Sequence, residues 1–193
     1  MKSRIKSSIK SSVENHIRVL NDSNLQINIE RIVTNSIEAF KNDKKILFCG
    51  NGGSASDAQH IASELSGRFY KDRPPLYAEA LHVNSSYMTA VANDYGYEET
   101  YARMVEASGR KGDVLVGIST SGNSPNVVKA MLNAKEIGML TVGFTGSKGG
   151  KMKEICDIMI QVPSDDTPRI QEVHILVGHI ICQLIEEEMF PNA

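Results

Sequence analysis

Apolar residues at Ile5, Ile9, Val13, Ile17 and Leu20, and again at Ile29, Ile32, Val33, Ile37 and Phe40, recur three or four positions apart. That spacing places each set on one face of an amphipathic helix, and the polar run Asn21, Asp22, Ser23, Asn24 separates the two. The pattern predicts an N-terminal helical hairpin over residues 1–42. Its wide apolar stripes need a partner surface, either the rest of the chain or a second copy. From Lys45 the period changes to short apolar runs: Ile46 to Cys49, Ala78 to Val83, Val114 to Ile118, Leu140 to Phe144 and Ile158 to Val162. Their near-continuous hydrophobicity is that of strands buried on both faces, which belong in a parallel sheet. Helical stretches alternate with them near Ala55 to Leu65, Tyr87 to Ala92, Glu99 to Ala107, Asn126 to Ile137, Gly150 to Ile155 and Pro168 to Met189. The expected fold is α/β: a single-domain three-layer sandwich around five parallel strands, spanning residues 1–193, with the helical hairpin added at the N-terminus.

Composition narrows the function classes. The 193 residues are 41% apolar, enough to build one core. Lys and Arg total 21 against 23 Asp and Glu, a formal charge of -2 without blocks of like charge, which disfavours a nucleic-acid surface. Three cysteines, Cys49, Cys156 and Cys182, stand far apart in apolar stretches, the usage of a reduced intracellular protein. No apolar run approaches the ~20 residues that cross a bilayer, and the basic start lacks the apolar segment of a signal peptide, so a cytoplasmic location without membrane contact is expected.

In an open parallel sheet, ligands collect beyond the carboxyl ends of strands. Two loops there carry candidate chemistry. Gly50, Asn51, Gly52, Gly53, Ser54 follows the first strand and opens a helix, so its backbone N–H groups can approach an anionic or hydroxyl-rich ligand closely. Extended to Ala55, it fits G-x-G-x-x-A. A dinucleotide site would also need an acid at the end of strand two, where His82, Val83, Asn84 stand instead. Considered alone, the loop reads equally as a tight turn. The second loop, Ser119, Thr120, Ser121, Gly122, Asn123, Ser124, ends strand three, with Ser124 suited to an N-cap and Pro125 to the first helical position. Capping needs one hydroxyl and this loop has four, so the surplus, together with the helix N-terminus, points to a phosphate cradle made without lysine. No G-x-x-x-x-G-K-[ST] occurs, which excludes a nucleotide-cleaving P-loop.

His60 and Glu64, four apart, share one face of the helix after the first loop, expected near the ligand-bearing edge. Taken alone, such a pair is commonly a surface ion pair, and it can also bind metal or move protons. The last helix carries Gln171, His174 and His179 among Ile175, Leu176, Val177, Ile180 and Ile181, and His174 reads as a core histidine with no assigned role.

Taken together, Cys49 to Ser54, Gln59-His60 with Glu64 to Arg68, Asn93-Asp94-Tyr95-Gly96, Gly117 to Ser124, and Arg169 to His174 with His179 resemble the sugar isomerase (SIS) domain family over essentially the whole chain. Within it the pattern is most similar to the enzymes that convert D-sedoheptulose 7-phosphate to D-glycero-D-manno-heptose 7-phosphate. The resemblance implies an aldose–ketose isomerase acting through an enediolate, at the first step of ADP- or GDP-heptose synthesis for lipopolysaccharide or other surface glycans. It also implies a cytoplasmic homotetramer with one Zn²⁺ per subunit on His60, Glu64, Gln171 and His179. On it, Glu64 is the carbon base and His179 its acid/base partner. Asn51, Gly52, Gly53, Glu64, Asn93, Asp94 and Gln171 position the sugar, and Ser119, Thr120, Ser121 and Ser124 hold the phosphate. Gln171 and His179 are separated by ~12 Å along a helix axis, so a common ion implies fewer ligands or a site shared between subunits. A second reading is a non-catalytic SIS relative that binds the bacterial replication initiator. In those relatives the residues matching Glu64 and His179 are replaced, and this chain keeps both.

Overall fold

A computed structural model describes residues 1–193. Two helices, α1 (Lys2–Leu20) and α2 (Ser23–Lys41), precede β1 (Ile46–Gly50), α3 (Gly53–Ser66), β2 (Ala78–Ala80), α4 (Ser85–Tyr95), a 3₁₀ turn (Tyr97–Glu99) and α5 (Thr100–Ser108). Then come β3 (Val114–Ile118), α6 (Pro125–Ile137), β4 (Leu140–Thr145), a second 3₁₀ turn (Gly150–Glu154), β5 (Ile158–Gln161) and α7 (Thr167–Met189). The five strands form one parallel sheet in the order β2-β1-β3-β4-β5. Every residue of β1 and β3 is buried, as their unbroken apolar runs require.

Alternation along the strands divides the core. Ile46, Phe48, Val116 and Phe144 face α2, α3 and α7, while Leu47, Cys49 and Leu115 face α5 and α6. This is the expected three-layer arrangement, and it places α3 and α7 side by side on one face. The strand order reverses between β1 and β3, the switch point at which doubly wound sheets bind ligands, and both candidate loops leave the sheet there.

Three local expectations change. The second strand stops at Ala80, short of His82 and Val83, because the chain turns there to let Asn84 cap α4 through its side chain, which accepts from the Tyr87 N–H at 3.0 Å. The stretch from Gly150 is a 3₁₀ turn and not an α-helix, entered through Gly149 and Gly150, both in the left-handed region. The hairpin splits in its burial. Ile29, Ile32 and Val33 of α2 lie in the core, whereas Ile5, Ile9, Val13, Ile17 and Leu20 of α1 are each at least half exposed. The second half of α1 is tied to α7 by polar groups: Asn15 donates to the Arg169 carbonyl at 3.0 Å and Ser12 to Glu172 at 2.7 Å. No helix is long and apolar enough to cross a membrane.

Candidate active site

The loop after β3 is organised by its own hydroxyls. Ser124 stands at the N-cap of α6 with Pro125 next, as its sequence predicts, but its side chain does not cap the helix. It pairs with the buried Ser119 hydroxyl at 2.9 Å, and Ser119 also reaches Ser121 at 3.4 Å. The N–H groups at the start of α6 are therefore not consumed by a serine cap. Gly122 has φ +66°, and a Cβ there would strike the Gly149 carbonyl, so the loop is seated on the 3₁₀ segment after β4. Asn123 Oδ1 accepts from the Lys151 N–H at 3.0 Å, fixing the same contact. Three of the four hydroxyls border two depressions, while Ser119 lies buried beneath them. Thr120 and Ser121 line one of about 270 Å³ with Ser147 and Lys148; Ser124 lines another of about 490 Å³ with Asn51 and Tyr97. Lys148, a cation at a site expected to be neutral, gives no sequence signal beyond its place after β4.

Asn51 does more structural work than its position suggests. It exchanges two hydrogen bonds with Asn126, at 2.8 and 2.9 Å, and its Oδ1 also accepts from the Tyr97 hydroxyl at 2.9 Å. Its acceptor is thus occupied from within the protein, while the backbone of Gly52 and Gly53 remains at the head of α3. Tyr97 lies one residue beyond the Asn93–Gly96 motif. Asn93 and Asp94 sit exposed on the last turn of α4, bonded to each other at 2.8 Å.

The titratable residues gather elsewhere. His60 Nε2 and Glu64 Oε1 are 3.1 Å apart, the His60 and His179 rings meet edge to face at 5.0 Å, and one donor atom from each of the three lies within 4.8 Å of the others. Residues 119 positions apart in sequence meet because α3 and α7 touch closely: a Cβ on Gly178 would collide with the Ile61 side chain. Two imidazoles and a carboxylate are a donor set suited to zinc. The cluster is not at the ligand-bearing edge, where His60 and Glu64 were expected. Counting from Gly53, His60 lies seven residues and Glu64 eleven down the helix, ~10 and ~16 Å at 1.5 Å per residue. The Gln171 amide instead packs over Gly53 at the head of α3, where a Cβ would collide with it.

Surrounding groups are held inert by burial. Cys182, against the Ile61 carbonyl and close enough to feel the Glu64 charge, has its thiol pushed up to about 12, chiefly by desolvation. Burial likewise moves Cys156 up to about 12. Asp57, one turn before His60, has its carboxyl raised by partial burial, with the nearby His60 acting in the opposite direction. His174 is fully buried, with Nε2 3.2 Å from the Thr145 carbonyl and its pKa lowered to about 4 by desolvation.

The chain can now be compared with known proteins. The SIS domain family matches residues 11–146. The phosphoheptose isomerase of Aneurinibacillus thermoaerophilus is 53% identical over 192 residues, covering 100% of this chain and 97% of that protein. The solved structure of the phosphoheptose isomerase from Neisseria gonorrhoeae superposes with a TM-score of 0.91 at 40% identity, over 96% of this chain and 98% of that one. The corresponding Francisella tularensis structure gives 0.92 at 36% identity, over 96% and 97%. None of these is a dinucleotide enzyme or a replication regulator. On sequence and fold together, the chain belongs to the phosphoheptose isomerases of the SIS domain family.

Proposed function

We propose that the protein interconverts D-sedoheptulose 7-phosphate and D-glycero-D-manno-heptose 7-phosphate, with Glu64 and His179 moving the protons. The observation that carries this reading is the separation of two kinds of site. The reacting carbons, C1 and C2, are at the opposite end of the sugar from the 7-phosphate. A protein that reads both ends needs a phosphate cradle and an acid/base cluster some distance apart, and the hydroxyl loop after β3 and the α3–α7 cluster supply them. Ser119, Thr120, Ser121 and Ser124 with the α6 N-terminus hold the phosphate. Gly52, Gly53, Asn93, Asp94 and Gln171 orient the chain between, and Asn51 stiffens the loop that carries the two glycines.

In the ketose-to-aldose direction, Glu64 takes a proton from C1, leaving an enediolate across C1 and C2, and the proton returns to C2. His179 moves the accompanying proton between the two oxygens. The ring of His60, 3.1 Å from the Glu64 carboxylate, holds that group in place. His60, Glu64 and His179 would hold a zinc ion, which when bound supplies Lewis-acid polarisation of the sugar carbonyl. Gln171 joins them only through its reach from Gly53. We take residues 1–193 as one domain, with residues 1–42 serving assembly. The uncovered α1 stripe, beside a groove lined by Val13, Ile17, Leu20, Ile29 and Ile180, suits a second copy of the chain, in keeping with a homotetramer. A sugar phosphate and self are then the partners, in the cytoplasm.

The test is incubation of the zinc-replete protein with sedoheptulose 7-phosphate in D₂O, followed by NMR. Aldose carrying deuterium at C2 is expected, since the base exchanges its proton with solvent. Absence of turnover would remove the activity, and undiminished turnover after exhaustive chelation would remove the metal.

A further inference from the structure

Residues 69–77, between α3 and β2, carry none of the motif residues, yet Arg73 in this stretch forms a buried ion pair with Glu186 of α7. Arg73 and Glu186, their side chains 1% and 2% exposed, stand with Arg73 Nε 3.5 Å from Glu186 Oε2. The guanidinium closes the C-terminal turn of α3: Nη2 donates to the Glu64 carbonyl at 2.8 Å, and Nη1 to those of Leu65 and Gly67 at 2.7 and 3.2 Å. On the other side, the Glu186 carboxylate accepts the backbone N–H groups of Phe69, at 3.1 Å, and of Lys71. The Phe69 backbone is held by that bond, and its ring lies on the His179 ring with centroids 5.6 Å apart and planes at 31°. Lys71 ties the same segment to the end of α7 through the Phe190 carbonyl at 2.6 Å.

These contacts form a closed circuit. It leaves α3 at Glu64, passes through Arg73 to Glu186 on α7, returns along the strap to Phe69, and ends on His179. A buried ion pair is costly to desolvate, and an apolar pair of similar volume would join two helices at least as firmly. What an apolar pair could not do is bind two carbonyls of α3, the Gly67 carbonyl just beyond it and two N–H groups of the strap at once. We propose that Arg73, Glu186 and Phe69 are positioning residues, which set the separation and orientation of Glu64 and His179. The strap is thus part of the isomerase machinery without touching substrate. This rests on the reading of Glu64 and His179 as the proton-moving pair.

The test uses Phe69→Leu, Phe69→Tyr and Arg73→Lys in the full-length protein. Misplacement of reacting groups by a fraction of an ångström is expected to lower kcat about 10- to 100-fold in Phe69→Leu and Arg73→Lys. KM for the sugar phosphate should stay within about twofold, because ground-state binding is gripped at the separate β3–α6 loop. Phe69→Tyr, which keeps the ring, should restore kcat. Co²⁺ titrated alone into each metal-free protein gives a second readout. Its visible absorption band should change shape in Phe69→Leu and match the parent in Phe69→Tyr. Should Arg73→Lys fail to fold, the half-buried Phe69 series decides by itself. An unchanged kcat and Co²⁺ band in Phe69→Leu overturns the proposal, and so does a parallel loss of kcat, substrate affinity and melting temperature. Glu64→Gln separates the two levels of inference. If it is inactive while Phe69→Leu is normal, only the positioning role falls; if it is fully active, the proton-moving assignment falls and the positioning role with it.

Discussion

At the β3–α6 loop the candidate ligand groups are hydroxyls and backbone N–H groups held by bonds within six residues, whereas at the α3–α7 contact they are titratable side chains brought together across the fold. Ser119 bonds both Ser121 and Ser124, and Ser121 also accepts from the Asn123 N–H at 3.1 Å. The loop is pre-formed by local turn chemistry and is seated on the segment after β4 through Gly149 and Gly150, the Lys151 N–H on Asn123 Oδ1 and the Met152 N–H on the Gly122 carbonyl. His60, Glu64 and His179, by contrast, depend on two helices meeting at Gly178 and on the strap that spans them. A cradle of hydroxyls and N–H groups with Lys148 at its edge is suited to binding, since it offers many donors held in place. A cluster of titratable side chains is suited to chemistry, since such groups are able to exchange protons.

The largest expected effect breaks the comparison at its reactive end. Glu64→Gln keeps the shape of the side chain and removes the base, so kcat should fall about 10²- to 10⁴-fold, the usual worth of a positioned acid or base. Affinity for the sugar phosphate, measured by calorimetry, should change little, because the proposed phosphate cradle lies in the other region. A variant that lost affinity and kept kcat would reverse the two assignments. His179→Gln should behave in the same way.

Much of this division was legible in the sequence, and the reasons are physical. Strand ends and helix starts are local events, so the apolar runs and the Ser-rich stretch located both the sheet and the loop after β3. The i, i+4 relation of His60 and Glu64 is equally local. Their meeting with His179 is not, because no periodicity reports that α3 and α7 touch; only the resemblance to a known family grouped the three. Gly178 was an available signal, since a glycine inside an otherwise apolar helix usually marks a close approach. Arg73 and Glu186, 113 positions apart, offered none. Tyr97 stood one residue beyond a recognised motif, and its bond to Asn51 depends on how the 3₁₀ turn after α4 is directed. Lys148 was hidden for the same reason: a surface lysine after a strand has no pattern.

Two histidines on α7 sharpen the contrast between a clustered, partly open group and a buried one. His179 meets His60 and Phe69 at a partly open surface, whereas His174, five residues earlier, is fully buried. Its folded pKa of about 4 lies below the ordinary 6.5, so between these values the unfolded chain binds a proton that the folded chain does not. Stability from this group is therefore complete above pH 6.5 and is lost as pH falls toward 4. The loss amounts to about 3 kcal/mol over the window. Urea midpoints at pH 7 and pH 4.5 should fall further apart in the parent than in His174→Gln. Equal slopes in the two proteins would show that His174 is protonated in the fold.

At the binding end, Ser121→Ala removes one hydroxyl from the proposed phosphate cradle. A hydrogen bond to a charged group is worth ~1.5 to 3 kcal/mol, so the dissociation constant for the sugar phosphate should rise roughly tenfold or more. The unphosphorylated heptulose should bind the variant and the parent alike. Equal losses for both sugars would place the damage in the helix terminus.

The smallest effect concerns the residue that joins the cradle to the glycine loop. The Tyr97 hydroxyl donates to Asn51 Oδ1 at 2.9 Å, and Asn51 is held independently by its two bonds to Asn126. Tyr97→Phe keeps the ring on the rim of the depression that Ser124 lines and removes only the third of these bonds. A neutral hydrogen bond contributes ~0.5 to 1.5 kcal/mol net, and a bond backed by two others belongs at the low end. KM should therefore rise about two- to fivefold, with kcat unaltered, because neither Glu64 nor His179 is touched. Removal of the second tie tests whether the Asn51–Asn126 pair is the stronger element: Asn126→Ala should raise KM more than Tyr97→Phe does, since it removes two bonds and leaves Asn51 Nδ2 without its partner. If Tyr97→Phe instead lowered kcat and spared KM, the rim would belong to the reactive region, and the boundary drawn between cradle and cluster would have to move from the loops to the far side of α4.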